Sequence, residues 1–235
     1  MKIWILTSEF PPEAGGGIAT YVHNAARMFA HAGHEVTVLT QSAQPSDSLE
    51  EERLRVLRFV PGRVHLDRSV PPGTSPDEHP AFPFTCMSYW PALSHQFAHE
   101  VLQAIERYGA PDVIEVQDYN ALGYYLIQRK LLREPALQDC PVVVHIHSPQ
   151  FGVRIANQSP QYLLPEYWIG QMEKFCLLGA DCLLCPSSFL GGWLSAYDSR
   201  FPEPTVVPLP YHHQHPTIGE PTVSYTHLRA HETKA

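Results

Sequence analysis

Short apolar runs and amphipathic stretches alternate along most of this chain. The first apolar run, residues 3–6, is typical of a buried strand, and from Ile18 to Phe29 the apolar residues recur at helical spacing. Further strands are predicted at 36–39, 54–60, 113–116, 142–146, 182–185 and 205–207, and further helices at 90–108, 121–133, 164–178 and 189–197. Strands that alternate with helices indicate βαβ units. The pattern therefore predicts an α/β fold with a single Rossmann-like parallel sheet and helices on both faces.

Two stretches do not fit this alternation. Residues 41–53 are polar and acidic, and residues 61–83 are rich in proline. We predict that both are surface loops. The alternative is that one of them forms a flap that faces a substrate, because long loops in compact domains are often functional.

Composition narrows the class of protein. With 44% hydrophobic residues among 235, the chain can bury a core, and its formal charge of −8 argues against a nucleic-acid-binding face. No apolar run is long enough to span a bilayer, and the N-terminus is a poor match to a signal peptide. Five cysteines, an odd number, are scattered through apolar segments, which suggests buried thiols in a reducing compartment. We therefore expect a soluble, cytoplasmic protein.

A glycine-rich turn lies between the first strand and the first helix, and it contains Gly15, Gly16 and Gly17. Without side chains the backbone can approach a ligand, and the first N–H groups of the following helix have no internal partner, so the turn can bind a phosphate. An ordinary βα turn has the same appearance, because the lysine of a phosphate-binding motif is missing. Both interpretations stay open from this turn alone.

The carboxyl ends of parallel strands lie at one edge of a sheet, where ligands bind. Besides the glycine turn, the loops expected there begin at residues 117, 147 and 186. Their candidate binding residues are Asp118, Tyr119, Asn120, His147 and Ser187. With the glycine turn, these residues suit a polyhydroxylated or phosphorylated ligand. Each has a structural alternative, since Asp118 or Asn120 can cap the next helix and Ser187 is expected to cap its own.

Three other patterns favour structural interpretations. His145 and His147 share a strand face, which can suit a metal, but one of such a pair is more often an ordinary strand residue and we expect no metal site. Cys182 and Cys185 have redox-motif spacing, yet residues three apart in a strand point to opposite faces, so the thiols should not pair. The histidine-rich tract 211–215 has no cysteine or acidic partner.

A dinucleotide-dependent oxidoreductase is the alternative from another class of enzyme. Its fingerprint requires a third glycine where this chain has Thr20, and an acidic residue near the end of the second strand. That strand ends here in Thr40 and Gln41. The sequence therefore disfavours this reading.

Nine short segments occur in a characteristic order between residues 2 and 210. They are Phe10-Pro11-Pro12 with Gly16-Gly17, Gly33-His34-Glu35-Val36-Thr37-Val38, Pro111-Asp112-Val113-Ile114, Val143-Val144-His145-Ile146-His147, Glu173-Lys174 with Gly179-Ala180-Asp181, Cys185-Pro186-Ser187, and Val206-Val207-Pro208. In this order and spacing, they resemble the amino-terminal lobe of family 4 glycosyltransferases of the GT-B fold.

The resemblance implies a retaining transferase that moves a sugar from a nucleotide-sugar donor to a hydroxyl acceptor, without a metal or other cofactor. The acceptor would be a sugar, a lipid-linked sugar or a small molecule. Gly15, Gly16 and Gly17 would reach the donor diphosphate, and His147 would contact a hydroxyl near the reacting sugar. The predicted acceptor-binding residues are Asp118, Tyr119, Asn120 and Ser187. The family often has histidines where this chain has Glu115 and Gln117.

The length suggests a part of an enzyme. Residues 1–210 are predicted to form the acceptor-side lobe, and residues 211–222 a hinge toward a missing nucleotide-sugar-binding lobe. Residues 223–235 resemble a translated sequencing-adaptor tail. We expect this chain to be inactive alone and its full-length parent to be the enzyme, which would contact a membrane peripherally if its acceptor is lipid-linked. The alternatives are a stand-alone carbohydrate-binding module and a partner of a separately encoded donor lobe.

Overall fold

The computed structural model describes residues 1–61, 88–160 and 162–210, and these residues form a sheet of eight strands. The strands are β1 (Lys2–Thr7), β2 (Glu35–Gln41), β3 (Ser46–Glu51), β4 (Leu54–Phe59), β5 (Val113–Gln117), β6 (Val142–His145), β7 (Cys182–Cys185) and β8 (Thr205–Val206). Their order is β3-β4-β2-β1-β5-β6-β7-β8, and all neighbours except β3 and β4 pair in parallel. The predicted parallel sheet is thus confirmed, with one antiparallel strand added at its edge.

Six α-helices lie in the described part of the chain. They are α1 (Gly17–His31), α2 (Tyr89–Tyr108), α3 (Tyr124–Leu131), α4 (Gln150–Ala156), α5 (Glu166–Gly179) and α6 (Ser188–Tyr197). Two short 3-10 turns, Tyr119–Ala121 and Pro135–Leu137, flank α3.

The helices cover both faces of the sheet, as predicted. On one face, Val22 of α1 belongs to an apolar cluster with Ile5 of β1. On the opposite face, a larger cluster joins Leu6 to Phe97 of α2 and Leu126 of α3, all of which are fully buried. Alternate residues of β1 therefore supply the two cores, as the two-residue period of a strand requires.

The prediction of a surface loop at 41–53 is wrong, because this segment contains β3. Apolar periodicity does not detect β3, since five of its six residues are polar or acidic. Backbone pairing with β4 holds it in the sheet, together with ion pairs from Arg55 to Asp47 and from Arg58 to Glu50, the latter at 2.8 Å. A charged sequence suits this position, because an edge strand is exposed and must avoid pairing with other chains.

The segment predicted as one helix over 121–133 is divided. Asn120 and Ala121 have φ values of 59° and 58°, which an α-helix does not allow, so α3 begins only at Tyr124. The short helix α4 was not predicted, because seven residues give too few repeats for an apolar period to be recognised.

The two cysteines of β7 lie in different environments, which confirms their predicted opposite directions. Cys182 is exposed and Cys185 is buried, and both thiols are free. The redox-motif spacing therefore has no structural counterpart.

Several predicted features lie outside the described residues. These are the histidine-rich tract 211–215, the hinge 211–222, the tail 223–235 and the proline-rich stretch from residue 62 onward. Within the part of the chain that is described, no helix combines the length and the apolar character needed to cross a membrane.

Candidate functional site

Four parallel strands bring the predicted site residues to one edge of the sheet. β1, β5, β6 and β7 are consecutive neighbours, so the loops that follow them adjoin each other. The chain order also reverses at β1, which has β2 on one side and β5 on the other. Such a switch point opens a crevice at the carboxyl ends of the strands, where α/β proteins bind their ligands.

The glycine turn presents bare backbone at this edge. Gly15, Gly16 and Gly17 are all exposed, and α1 begins at Gly17 without a side-chain cap among the described residues. Gly16 has a φ of 150°, and a Cβ at this position would lie 2.8 Å from Oε2 of Glu9. Because other residues rarely adopt this φ, the turn favours glycine at residue 16. The first N–H groups of α1 have no partner within the helix.

A buried polar cluster lies one helical turn beyond the glycine turn. It consists of Tyr21, Glu115, Gln117, His145 and His147, and we call it the Glu115 cluster. The Tyr21 hydroxyl donates a hydrogen bond to Oε1 of Glu115 at 2.7 Å and lies 2.7 Å from Nδ1 of His145. Nε2 of Gln117 donates to the same carboxylate oxygen at 3.3 Å. Burial, reinforced by Glu115, raises the pKa of Tyr21, which therefore remains a proton donor.

His147 is the most accessible member of the Glu115 cluster. Its ring stacks on His145, with centroids 4.6 Å apart and planes 16° apart, and meets the edge of Tyr21 at 4.8 Å. Its Nε2 is hydrogen-bonded to Oε1 of Gln117. Burial and the neighbouring His145 lower the pKa of His147 to about 4. The ring is therefore neutral near neutral pH.

Asp118 holds the loop that contains His147 through a hydrogen bond to its backbone. Its side chain is 2% exposed, and its Oδ1 accepts a hydrogen bond from the backbone N–H of His147 at 2.9 Å. Burial raises the pKa of this carboxyl to about 7. Asp118 does not cap the following 3-10 turn, so that alternative is wrong. Its predicted role in acceptor binding stays a prediction.

A second buried carboxylate, which sequence reasoning did not assign to the site, joins two of its loops. Glu173 of α5 accepts hydrogen bonds from the backbone N–H groups of Asn120 and Gln150, both at 2.8 Å, and of Phe151 at 3.0 Å. We call this arrangement the Glu173 clamp. Gln150 and Phe151 begin α4, so the clamp satisfies N–H groups that a helix leaves unpaired. The sequence pattern that could have indicated Glu173 is a carboxylate on the apolar stripe of α5, between Ile169 and Cys176.

The remaining predicted residues have mixed surroundings. Tyr119 is half-buried and its ring lies 6.3 Å from that of Trp90, whereas Asn120 is buried. Asn120 does not cap α3, whose N-cap residue is Gly123. Oγ of Ser187 accepts a hydrogen bond from the backbone N–H of Leu190 at 3.3 Å, which confirms that it caps α6. A cap uses the hydroxyl only as an acceptor, so its predicted contact with a ligand stays a prediction.

The edge combines free N–H groups with a neutral imidazole. The N–H groups and the positive end of the α1 dipole attract an anion, and the imidazole can bond a hydroxyl. Within residues 1–61, 88–160 and 162–210, no three His, Cys, Asp or Glu side chains are grouped so as to hold a metal ion. The arrangement therefore suits a phosphorylated, hydroxyl-rich ligand.

Residues 16–211 match the glycosyl transferase 4-like domain. Glycogen synthase of Mycobacterium tuberculosis, in two strains, is 25% identical over 164 residues, which cover 65% of this chain and 34% of that protein. The catalytic domain of starch synthase IV from Arabidopsis thaliana, solved with ADP and acarbose, has a TM-score of 0.50 and 14% identity. That match covers 87% of this chain and 51% of the solved chain. This chain therefore spans about a third of the length of the glycogen synthase and about half of the length of the starch synthase domain.

Proposed function

The chain belongs to the glycosyl transferase 4-like domain family, and we propose that it is the acceptor-side lobe of a retaining glycosyltransferase. The complete enzyme would transfer a sugar from a nucleotide-sugar donor to a hydroxyl acceptor. The observation that carries this proposal is that the exposed glycine turn after β1 and the His147 loop after β6 lie at the same carboxyl edge of the sheet, beside the switch point at β1.

The glycine turn is the proposed contact for the donor diphosphate. Gly16 and Gly17 have no side chains of their own to cover their N–H groups, and Gly17 is the first residue of α1, at its positive end. As the bond between the sugar and the diphosphate breaks, negative charge grows on the leaving phosphate. N–H groups that already point at this position stabilise that charge without reorganising. The starch synthase structure was solved with ADP, a diphosphate nucleotide, which is compatible with this assignment.

His147 is the proposed contact for a hydroxyl of the transferred sugar. Its ring meets that of Tyr21, the fifth residue of α1, and the glycine turn ends at the first residue of the same helix. Asp118, Tyr119, Asn120 and Ser187 remain the proposed acceptor residues. Of these four residues, Asp118 and Asn120 would act mainly by shaping the loop after β5, because both are buried.

The reaction is a group transfer with a defined balance. The bond between the anomeric carbon and the diphosphate oxygen breaks, and its electron pair leaves with the nucleoside diphosphate. A bond forms between the anomeric carbon and the acceptor oxygen, whose proton is released. No metal or other cofactor is included in this proposal. Because catalysis needs donor groups from a second lobe, we propose that this chain is inactive alone.

The proposal can be tested with two nucleotides that share only a ribose diphosphate. The ¹⁵N-labelled chain is titrated separately with UDP and with ADP, and its amide signals are followed by NMR. We expect both nucleotides to shift the signals of Gly15, Gly16 and Gly17. Gly16→Ala should lower the affinity about tenfold or more, because hydrogen bonds to a charged group contribute about 1.5–3 kcal/mol.

Gly33→Ala is the matched control, since Gly33 also has a positive φ, 89°, but lies at the other end of α1. It should strain the backbone similarly and leave nucleotide affinity unchanged. Equal affinities of the Gly16→Ala and wild-type chains would reject the diphosphate contact. Product formed by the purified chain from a nucleotide sugar would reject the proposed inactivity. Binding of a free sugar without nucleotide would favour the carbohydrate-binding module instead.

A further inference from the structure

We propose that Glu115 and Gln117 are positioning residues that hold His147 in the tautomer with hydrogen on Nε2, so that Nδ1 is a hydrogen-bond acceptor. The tautomer follows from the contacts of this chain. Its consequence for a sugar rests on the function proposed above.

The chain of contacts begins at the Glu115 carboxylate, which can only accept hydrogen bonds. Its Oε1 receives the Tyr21 hydroxyl at 2.7 Å and Nε2 of Gln117 at 3.3 Å. If the Gln117 amide were rotated by half a turn, its oxygen would face the carboxylate oxygen and two acceptors would repel each other. Glu115 therefore determines which end of the Gln117 amide faces His147.

The end that faces His147 is the amide oxygen, Oε1, which contacts Nε2 of the imidazole. An amide oxygen has no proton to give, so Nε2 must carry the hydrogen of this bond. In a neutral imidazole the other nitrogen, Nδ1, then carries a lone pair. The neutral form is favoured near neutral pH, because burial lowers the pKa of His147 to about 4. In the described residues, Nδ1 has no hydrogen-bond partner from the protein.

An acceptor nitrogen selects its ligand group. A sugar hydroxyl can donate to Nδ1, whereas an ether or carbonyl oxygen at the same position cannot and would leave the lone pair unpaired. The Glu115–Gln117 relay thus requires a free hydroxyl on the sugar at this point. In contrast, a histidine at position 117 would be able to face His147 with either a donor or an acceptor nitrogen.

The tautomer can be measured without any ligand. The chain is labelled with ¹⁵N in its histidines, and ¹H–¹⁵N correlation spectra at neutral pH report which ring nitrogen of His147 carries hydrogen. Comparison with His147→Asn identifies the His147 signals among those of 14 histidines. We expect hydrogen on Nε2, with a resonance protected from exchange by the bond to Gln117.

Two variants decide between this relay and the ordinary preference of imidazole, which in water already favours hydrogen on Nε2. Gln117→Met removes the acceptor, and the protected Nε2 hydrogen should be lost. Glu115→Met frees the Gln117 amide to rotate, and the fraction with hydrogen on Nδ1 should rise several-fold. Tyr21→Phe is the matched control, since it removes another hydrogen bond to Glu115 and keeps the ring that meets His147. The tautomer should not change in this variant.

Hydrogen on Nδ1 in the wild-type chain would overturn the proposal. So would a protected Nε2 hydrogen that survives Gln117→Met, or a tautomer ratio that Glu115→Met leaves unchanged. None of these results depends on nucleotide binding, so failure of the relay and failure of the proposed function are distinguishable. A titration in which UDP and ADP do not bind would reject the proposed function and leave the relay untouched.

Discussion

The Glu115 cluster and the Glu173 clamp both bury a carboxylate behind the same edge of the sheet, yet their partners differ in kind. Glu115 is 6% exposed and bonds the side chains of Tyr21 and Gln117. Glu173 is 1% exposed and bonds three backbone N–H groups in two loops. One carboxylate therefore orients side chains around His147, the proposed sugar contact, whereas the other holds the backbone of the segments that begin at Asn120 and Gln150.

This difference indicates how each carboxylate should respond to substitution. Side-chain partners can rotate and find water when their acceptor is lost. Backbone N–H groups in a buried turn cannot move without unfolding the turn, so their loss of an acceptor costs the full desolvation of each group. The clamp should therefore dominate stability, and the Glu115 cluster should dominate the state of His147.

The largest expected effect is that of Glu173→Met, which removes the acceptor of three backbone N–H groups. At about 1 kcal/mol or more for each group left unpaired, the free energy of unfolding should fall by about 3 kcal/mol or more. Urea unfolding measures this as a lower midpoint with an unchanged slope. Glu106→Met, at an exposed position of α2, is the control and should be nearly neutral. A loss below about 1 kcal/mol for Glu173→Met would show that the clamp is not needed.

The second prediction concerns the pH dependence that the Glu173 clamp gives to the free energy of unfolding. Burial raises the pKa of Glu173 from 4.5 to about 8 in the folded chain. Between these values the folded chain keeps a proton that the unfolded chain releases, so the free energy of unfolding falls as pH rises. One such group contributes about 1.4 kcal/mol per pH unit.

Glu173→Gln should remove this contribution, because an amide does not titrate. Urea unfolding at about pH 5.5 and about pH 7.5 should therefore give a smaller decrease in stability for Glu173→Gln than for the wild-type chain. Glu106→Gln should keep the wild-type decrease. Identical pH slopes for the wild-type and Glu173→Gln chains would mean that Glu173 is ionised in the folded state throughout this range.

The smallest effect is expected in the Glu115 cluster. Tyr21→Phe removes the hydroxyl that lies between Glu115 and His145 but preserves the ring contacts with His145 and His147. A hydrogen bond to a charged group contributes about 1.5 kcal/mol, and the free energy of unfolding should fall by about that amount. Thermal or urea unfolding measures it. A loss as large as that of Glu173→Met would contradict the distinction between the two carboxylates.

The strands, and the edge of the sheet at which the candidate residues meet, were predictable because both depend on local pattern and a general rule. Runs such as residues 3–6 and 142–144 lie in a parallel sheet that is covered on both sides and are therefore continuously apolar. Once the strands are known, the glycine turn and the loops at Asp118 and His147 must meet at the carboxyl edge. β3 was not predicted because an edge strand needs no apolar residues, and α4 was not predicted because it is short.

The two carboxylate arrangements were not predictable in detail. Tyr21 and Glu115 are 94 positions apart, and Asn120 and Glu173 are 53 positions apart. Polar residues did interrupt the expected apolar pattern, at Glu115 and Gln117 in the central strand β5 and at Glu173 in the apolar stripe of α5. Such interruptions indicate a buried polar role, but they do not identify the partner.

By itself, therefore, the amino-acid sequence determined the order of strands and helices, the glycine turn and the edge at which the predicted site residues collect. These depend on the period of apolar residues and on backbone freedom, which are properties of short segments. Only the tertiary structure decided that Asp118 and Glu173 turn inward to hold the loops, and that Gln117 faces His147 with its oxygen. Hydrogen bonds are satisfied by whichever groups the fold brings within reach, and that proximity is a property of the whole chain.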